Sequence, residues 1–110
     1  MAVVAMTTQG PSVPERILLS YDASGQSRAA AAEVCRMIFG RTRTDRHGRV
    51  RSEPGFIHRP GVVWVGQSVL VLPPRDADEL AARVRRLGVR VAMGPVSVTR
   101  ETLERFRRPR

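Results

Sequence analysis

Residues 62–72, VVWVGQSVLVL, constrain this chain more than any other stretch. Apart from Gly66, Gln67 and Ser68 every position is apolar, and valine dominates. A β-branched run of this length, broken by glycine, reads as two strands rather than a buried helix. Gly66-Gln67 supplies a two-residue turn of the Gly-X kind, so strands are expected over 62–65 and 68–72. The second is almost continuously apolar, the pattern of a strand in the middle of a sheet. A lone hairpin is barely stable in water, so the rest of the chain must provide strands beside it and helices over it.

Both are legible. RILLSY, residues 16–21, alternates Ile17, Leu19 and Tyr21 with Leu18 and Ser20 and forms a strand. The turn DASGQS follows, with Ser24 or Ser27 placed to cap the helix expected over 27–39. On that helix Ala31, Val34, Cys35 and Ile38 share one face, which makes Cys35 a small core residue, and Gly40 is the stop. A second helix follows the hairpin in PPRDADELAARVRRLG, with Asp76 and Glu79 at capping-box spacing and Leu80, Val84 and Leu87 as its buried stripe. VRVAMGPVSV, residues 89–98, reads as a last strand interrupted at Gly94-Pro95, hence at a sheet edge. Thr99 then caps a short helix carrying Leu103 and Phe106.

The order strand, helix, hairpin, helix, strand is that of a ferredoxin-like βαββαβ domain of the α+β class. It predicts a four-stranded antiparallel sheet with both helices on one face and the other face open to a partner. A chain of 110 residues fits one such domain. Residues 1–14 are expected to be a flexible arm, 15–99 the domain, and 100–110 a short basic helix and tail. Inside the domain, 41–60 reads as an arginine-rich insertion, too long for an ordinary connection. No apolar run spans a bilayer, and the opening MAVVAM lacks the pattern of a secretory signal, so a cytoplasmic protein without a membrane partner is expected.

Charge indicates the partner. Lys+Arg 19 against Asp+Glu 10 leaves a net +9, and every basic residue is arginine. Such an excess favours polyanions, nucleic acid above all, and the guanidinium offers bidentate donors to phosphate. Two clusters stand out: Arg41, Arg43, Arg46, Arg49, Arg51 and Arg59 in the insertion, and Arg105, Arg107, Arg108 and Arg110 at the end. These are the expected nucleic-acid-binding residues, to DNA or RNA; a merely solvated loop and tail is the alternative.

Catalytic signals are sparse. His47 and His58 lie in the insertion at poor metal-ligand spacing and read as exposed loop residues. No serine stands in a nucleophile motif, and there is no P-loop. Trp64 is either a half-buried sheet aromatic or a base-stacking platform. Asp22, at the end of the first strand, is placed to cap the turn by accepting the amides of Ser24 or Gly25, and whether it also does chemistry is open on this pattern alone.

Tyr21, Asp22, Ser24 and Arg28, together with GQSVLVLPPRDADELAARVRRL, resemble the CRISPR-associated protein 2 family. Gln67 and Ser68 are adjacent here, where the family spaces them by one residue. The resemblance implies a ferredoxin-like fold, a symmetric homodimer and binding of duplex nucleic acid. It also implies, for some members, a nuclease in which Asp22 from each subunit faces a shared magnesium or manganese ion. The leading expectation is therefore a nucleic-acid-binding, dimeric scaffold. An RNA-associated component of a ribonucleoprotein particle is the alternative, and a metal-dependent phosphodiesterase using Asp22 the third reading.

Overall fold

A computed structural model describes residues 4–5 and 15–106. Its elements run β1 (Val4–Ala5), β2 (Arg16–Asp22), α1 (Arg28–Phe39), β3 (Arg41–Thr44), β4 (Val50–Glu53), a 3₁₀ turn (Phe56–His58), β5 (Val63–Gly66), β6 (Val69–Leu72), α2 (Pro74–Arg86), β7 (Arg90–Ser97) and α3 (Arg100–Phe106). The molecule is mixed α+β. One sheet has the order β1-β7-β2-β6-β5, and β3-β4 forms a separate two-stranded sheet. The strands β7, β2, β6 and β5 pair antiparallel throughout, and β1 joins β7 in parallel. Three strands beyond the expected four thus enter the chain order, two of them from the insertion and one from the arm. The rest of residues 1–14 lies outside the described residues.

Register explains the layers. On one face Ile17, Leu19 and Tyr21 of β2 stand beside Leu72 and Leu70 of β6. This face is covered by Val34 and Ile38 of α1 and by Ala77, Leu80, Ala81 and Val84 of α2, and Phe56 of the 3₁₀ turn completes the cluster. Each leucine or valine taken fully out of water there contributes roughly 1.5–3 kcal/mol. Cys35 is not in this core. It is exposed, because the buried stripe of α1 runs through Val34 and Ile38 and the next position turns outward.

The opposite face is also covered, contrary to the open face expected. Leu103 of α3 packs with Val63, Val71, Val96 and Val98, and Leu18, Val65 and Phe106 flank them. The cap expected at Thr99 is present: its Oγ1 accepts the Thr102 amide at 3.2 Å. The cover stops short of the far end of the sheet, where Ser20, Asp22, Arg90 and Ala92 are exposed.

Three local expectations are corrected. The β5–β6 turn is Gln67-Ser68, not Gly66-Gln67: Gly66 pairs with Val69, a bulge falls between Trp64 and Gly66, and Ser68 takes φ 63°. The extra residue of the bulge moves the turn one place along. Asp76 and Glu79 make no capping box, since α2 starts at Pro74 with Pro73 as its cap residue and no side-chain cap. β7 runs unbroken through Gly94-Pro95, paired with β2 across Leu18 and Ile17. Ser27, by contrast, caps α1 as expected, accepting the Ala30 amide at 3.1 Å.

Candidate nucleic-acid interface

The insertion folds. RTRTDRHGRVRSE becomes the β3–β4 hairpin because Asp45 organises its turn: Oδ1 accepts the amides of His47 at 2.8 Å and Arg49 at 2.9 Å. Gly48 takes the left-handed conformation that ends such a turn, φ 78°. The sequence signal was an Asp with a Gly three residues on, flanked by alternating threonines and valine, masked by the density of arginine.

At its base the hairpin is pinched by two glycines. A Cβ on Gly55 would collide with the Ile38 carbonyl and the Gly40 amide, and one on Gly40 with the Glu53 carbonyl. Gly40 also closes α1, donating its amide to Arg36 at 2.8 Å. The chain therefore leaves and re-enters the body at one narrow neck, and the hairpin stands as its own sheet.

Register sorts the insertion's arginines. Arg41 pairs with Glu53 and Arg43 with Arg51, so all four side chains lie on one face, with Thr42, Thr44, Val50 and Ser52 on the other. Glu53 is the single carboxylate on the arginine face. It accepts from Arg41 Nε at 2.9 Å and approaches Arg43 Nε at 3.5 Å. Arg51, directly opposite Arg43, forms no ion pair among the described residues, nor do Arg46 and Arg49 at the turn. All three are exposed, as is Val50 at 66%.

Arg59 behaves differently. Its guanidinium reaches Asp76 at 3.1 Å and Glu79 at 2.9 and 3.0 Å, and it stacks 3.9 Å from the centre of the Phe56 ring. Hydrogen bonding to Glu79 raises its pKa, and the same contact lowers that of Glu79. The acids that looked like a helix cap are thus the partners of Arg59. This removes Arg59 from the set available to a polyanion and makes it a tie between the 3₁₀ turn and α2. A groove of about 190 Å³ beside it is lined by Arg36, Arg41, Arg59 and Arg83. Its positive charge is balanced by Glu33, Glu53, Asp76 and Glu79.

The remaining candidates are quickly placed. Arg105 is exposed and paired with Glu101 at 2.9 Å; Arg107, Arg108 and Arg110 lie outside the described residues. His47 and His58 are exposed, and His58 Nδ1 accepts the Gly55 amide at 2.9 Å. Trp64 is half-buried and meets Phe39 edge-to-face, with ring centres 5.5 Å apart. That is the sheet-aromatic reading, not a stacking platform.

Asp22 ends β2, fully exposed, and its Oδ1 accepts the Ser24 amide at 2.9 Å. Hydrogen bonds from Ser24, with Arg90 beyond, hold its pKa below the ordinary carboxylate value. The described residues contain no group of three or more His, Cys, Asp or Glu placed to hold a metal ion. Among the described residues no helix is long and apolar enough to cross a membrane. Compared with protein-family models, with curated proteins and with solved structures, the chain matches none.

Proposed function

We propose that this protein binds nucleic acid, gripping the phosphate backbone with the β3–β4 hairpin. One observation carries the reading: Arg43 and Arg51 face each other on a projecting ribbon that has a single carboxylate on that face. Like charges directly opposite on a ribbon destabilise it. A polyanion laid against that face turns the repulsion into paired phosphate contacts. Arg46 and Arg49 extend the same positive surface around the turn. A two-stranded ribbon fits the major groove of B-form DNA, whereas the deep, narrow major groove of A-form RNA excludes it. Duplex DNA is accordingly the first substrate, and a ribonucleoprotein role the competing one.

The architecture fits a ferredoxin-like βαββαβ unit carrying an inserted hairpin. With β1 and the hairpin set aside, the sheet β7-β2-β6-β5 places the first and third strands of the unit at the centre. Kinship with the CRISPR-associated protein 2 family, a homodimer and a cytoplasmic location accompany this proposal, supported by Tyr21, Asp22, Ser24 and Arg28 around the end of β2. Cleavage does not. Asp22 is engaged by its own turn, and even in the proposed homodimer a magnesium or manganese site there needs the two Asp22 carboxylates to face each other across the two-fold axis.

The test is binding of short duplex DNA and structured RNA at several salt concentrations. Expected is a steep fall of affinity with salt, and a slope reduced by about 2 in R43Q/R51Q. No binding at low salt refutes the function; tighter binding to RNA than to DNA transfers it to RNA.

A further inference from the structure

We propose that the end of the sheet opposite the hairpin is a second phosphate-binding surface, so that one molecule bridges two nucleic-acid segments. The inference rests on the hairpin reading above, and it is carried by arginines that neither sequence cluster contains.

Chain direction brings them together. β2 runs from the hairpin end to Asp22, and α1 starts just beyond it with Arg28. α2 begins after β6, which is antiparallel to β2, so its last turn, with Arg85 and Arg86, returns to the Asp22 end. β7 starts there with Arg90, in register opposite Asp22. The ends of these elements meet: a Cβ on Gly88, after α2, would lie 3.1 Å from the Gln26 side chain in the turn before α1.

Arg28, Arg85, Arg86 and Arg90 are all exposed. Arg28, Arg85 and Arg86 form no ion pair among the described residues, in contrast with Arg36, Arg59, Arg83 and Arg105, which do. Asp22 is the one carboxylate in the turn between β2 and α1. It is held by the Ser24 amide and faces Arg90. No acidic residue occupies the first turn of α1, whose amide end adds partial positive charge. Four arginines against one committed carboxylate make a net basic surface of the size that contacts several phosphates.

The two basic surfaces are separated by the length of β2, roughly 20 Å for seven residues. They lie at opposite ends of β2, with the body of the sheet and its helices between them. A short duplex is a stiff rod with a persistence length of about 150 bp, so it cannot bend around the body to meet both ends. Two segments, one on each end, satisfy both.

The experiment mixes donor-labelled and acceptor-labelled short duplexes with the protein and reads energy transfer between them, alongside binding of a single duplex by anisotropy. Wild type is expected to give transfer at a protein concentration below that of duplex. R85Q/R86Q/R90Q is expected to lose transfer at least tenfold while single-duplex affinity stays within about twofold, because the hairpin is intact. R28Q/R90Q, which leaves α2 untouched, is expected to show the same split with an unchanged melting temperature. Transfer that persists in both variants overturns the proposal, since bridging would then come from the hairpin of a second copy. Equal loss of single-duplex affinity and transfer also overturns it, since both ends would then contact one segment. Failure of wild type to bind any duplex instead defeats the function proposed above.

Discussion

Arginine does two different jobs in this chain, and the partner at each guanidinium tells them apart. Arg59 ties Phe56 to α2 through Asp76 and Glu79, so Arg59→Ala strips cover from a core ring and leaves two acids side by side. With the ion pair partly solvated, most of the loss is packing. A fall in Tm of about 5 °C is expected by thermal melt, with duplex affinity nearly unchanged. R43Q/R51Q should do the reverse: affinity drops while Tm holds or rises, because the repelling pair is gone. Asp22 gives a pH signature. Its folded pKa lies below its ordinary value of 3.8, so the stability it contributes is fully present above that value. That contribution is lost as pH falls through the folded pKa. Melts of wild type and Asp22→Asn should therefore differ at neutral pH and converge in strong acid; curves that stay apart would assign the difference to something other than this carboxylate.

At the scale of elements, the β3–β4 hairpin is separable. It shares no sheet with the body, and its neck is closed by Gly40 and Gly55. Joining Gly40 to Gly55 in place of residues 41–54 is expected to leave a cooperative melt, to weaken single-duplex binding to what the far end of the sheet supplies alone, and to abolish transfer between duplexes. Loss of the melt would show that the hairpin supports the core. Gly55→Ala should be more damaging than this excision, since its Cβ has backbone on both sides and nothing flexible to displace. We expect a cost of at least 2 kcal/mol, read by chemical denaturation. α3 is the other decisive element. Leu103 is 7% exposed over the valines of β5, β6 and β7, and Leu103→Ala should cost about 2–4 kcal/mol while uncovering that face.

For the whole molecule, a net charge of +9 means that every folded copy repels itself. Added salt should therefore raise Tm modestly as it weakens duplex binding steeply, two opposite trends from the same screening. A Tm that falls with salt would mean that the ion pairs of Arg36, Arg41 and Arg59 outweigh the self-repulsion. Basic surface at both ends of the sheet distinguishes this molecule from one with a single basic face, and it sets the stoichiometry expected with DNA.

The α+β class, the two central strands and the caps at Ser27 and Thr99 were all legible in the sequence. Each follows from periodicity or from a side chain acting on its own neighbours. Tertiary structure decided the rest. That Cys35 is exposed, that Asp76 and Glu79 serve Arg59, and that α3 covers the second face depend on contacts between residues far apart in the chain. The hairpin was hidden for a related reason: its strands are short and polar, and its existence rests on Asp45 and a glycine neck rather than on apolar alternation. The sequence by itself determined how much positive charge this protein carries. Only the folded chain decides which arginines are neutralised internally and which are left for a polyanion, because ion pairing depends on distances that composition does not contain.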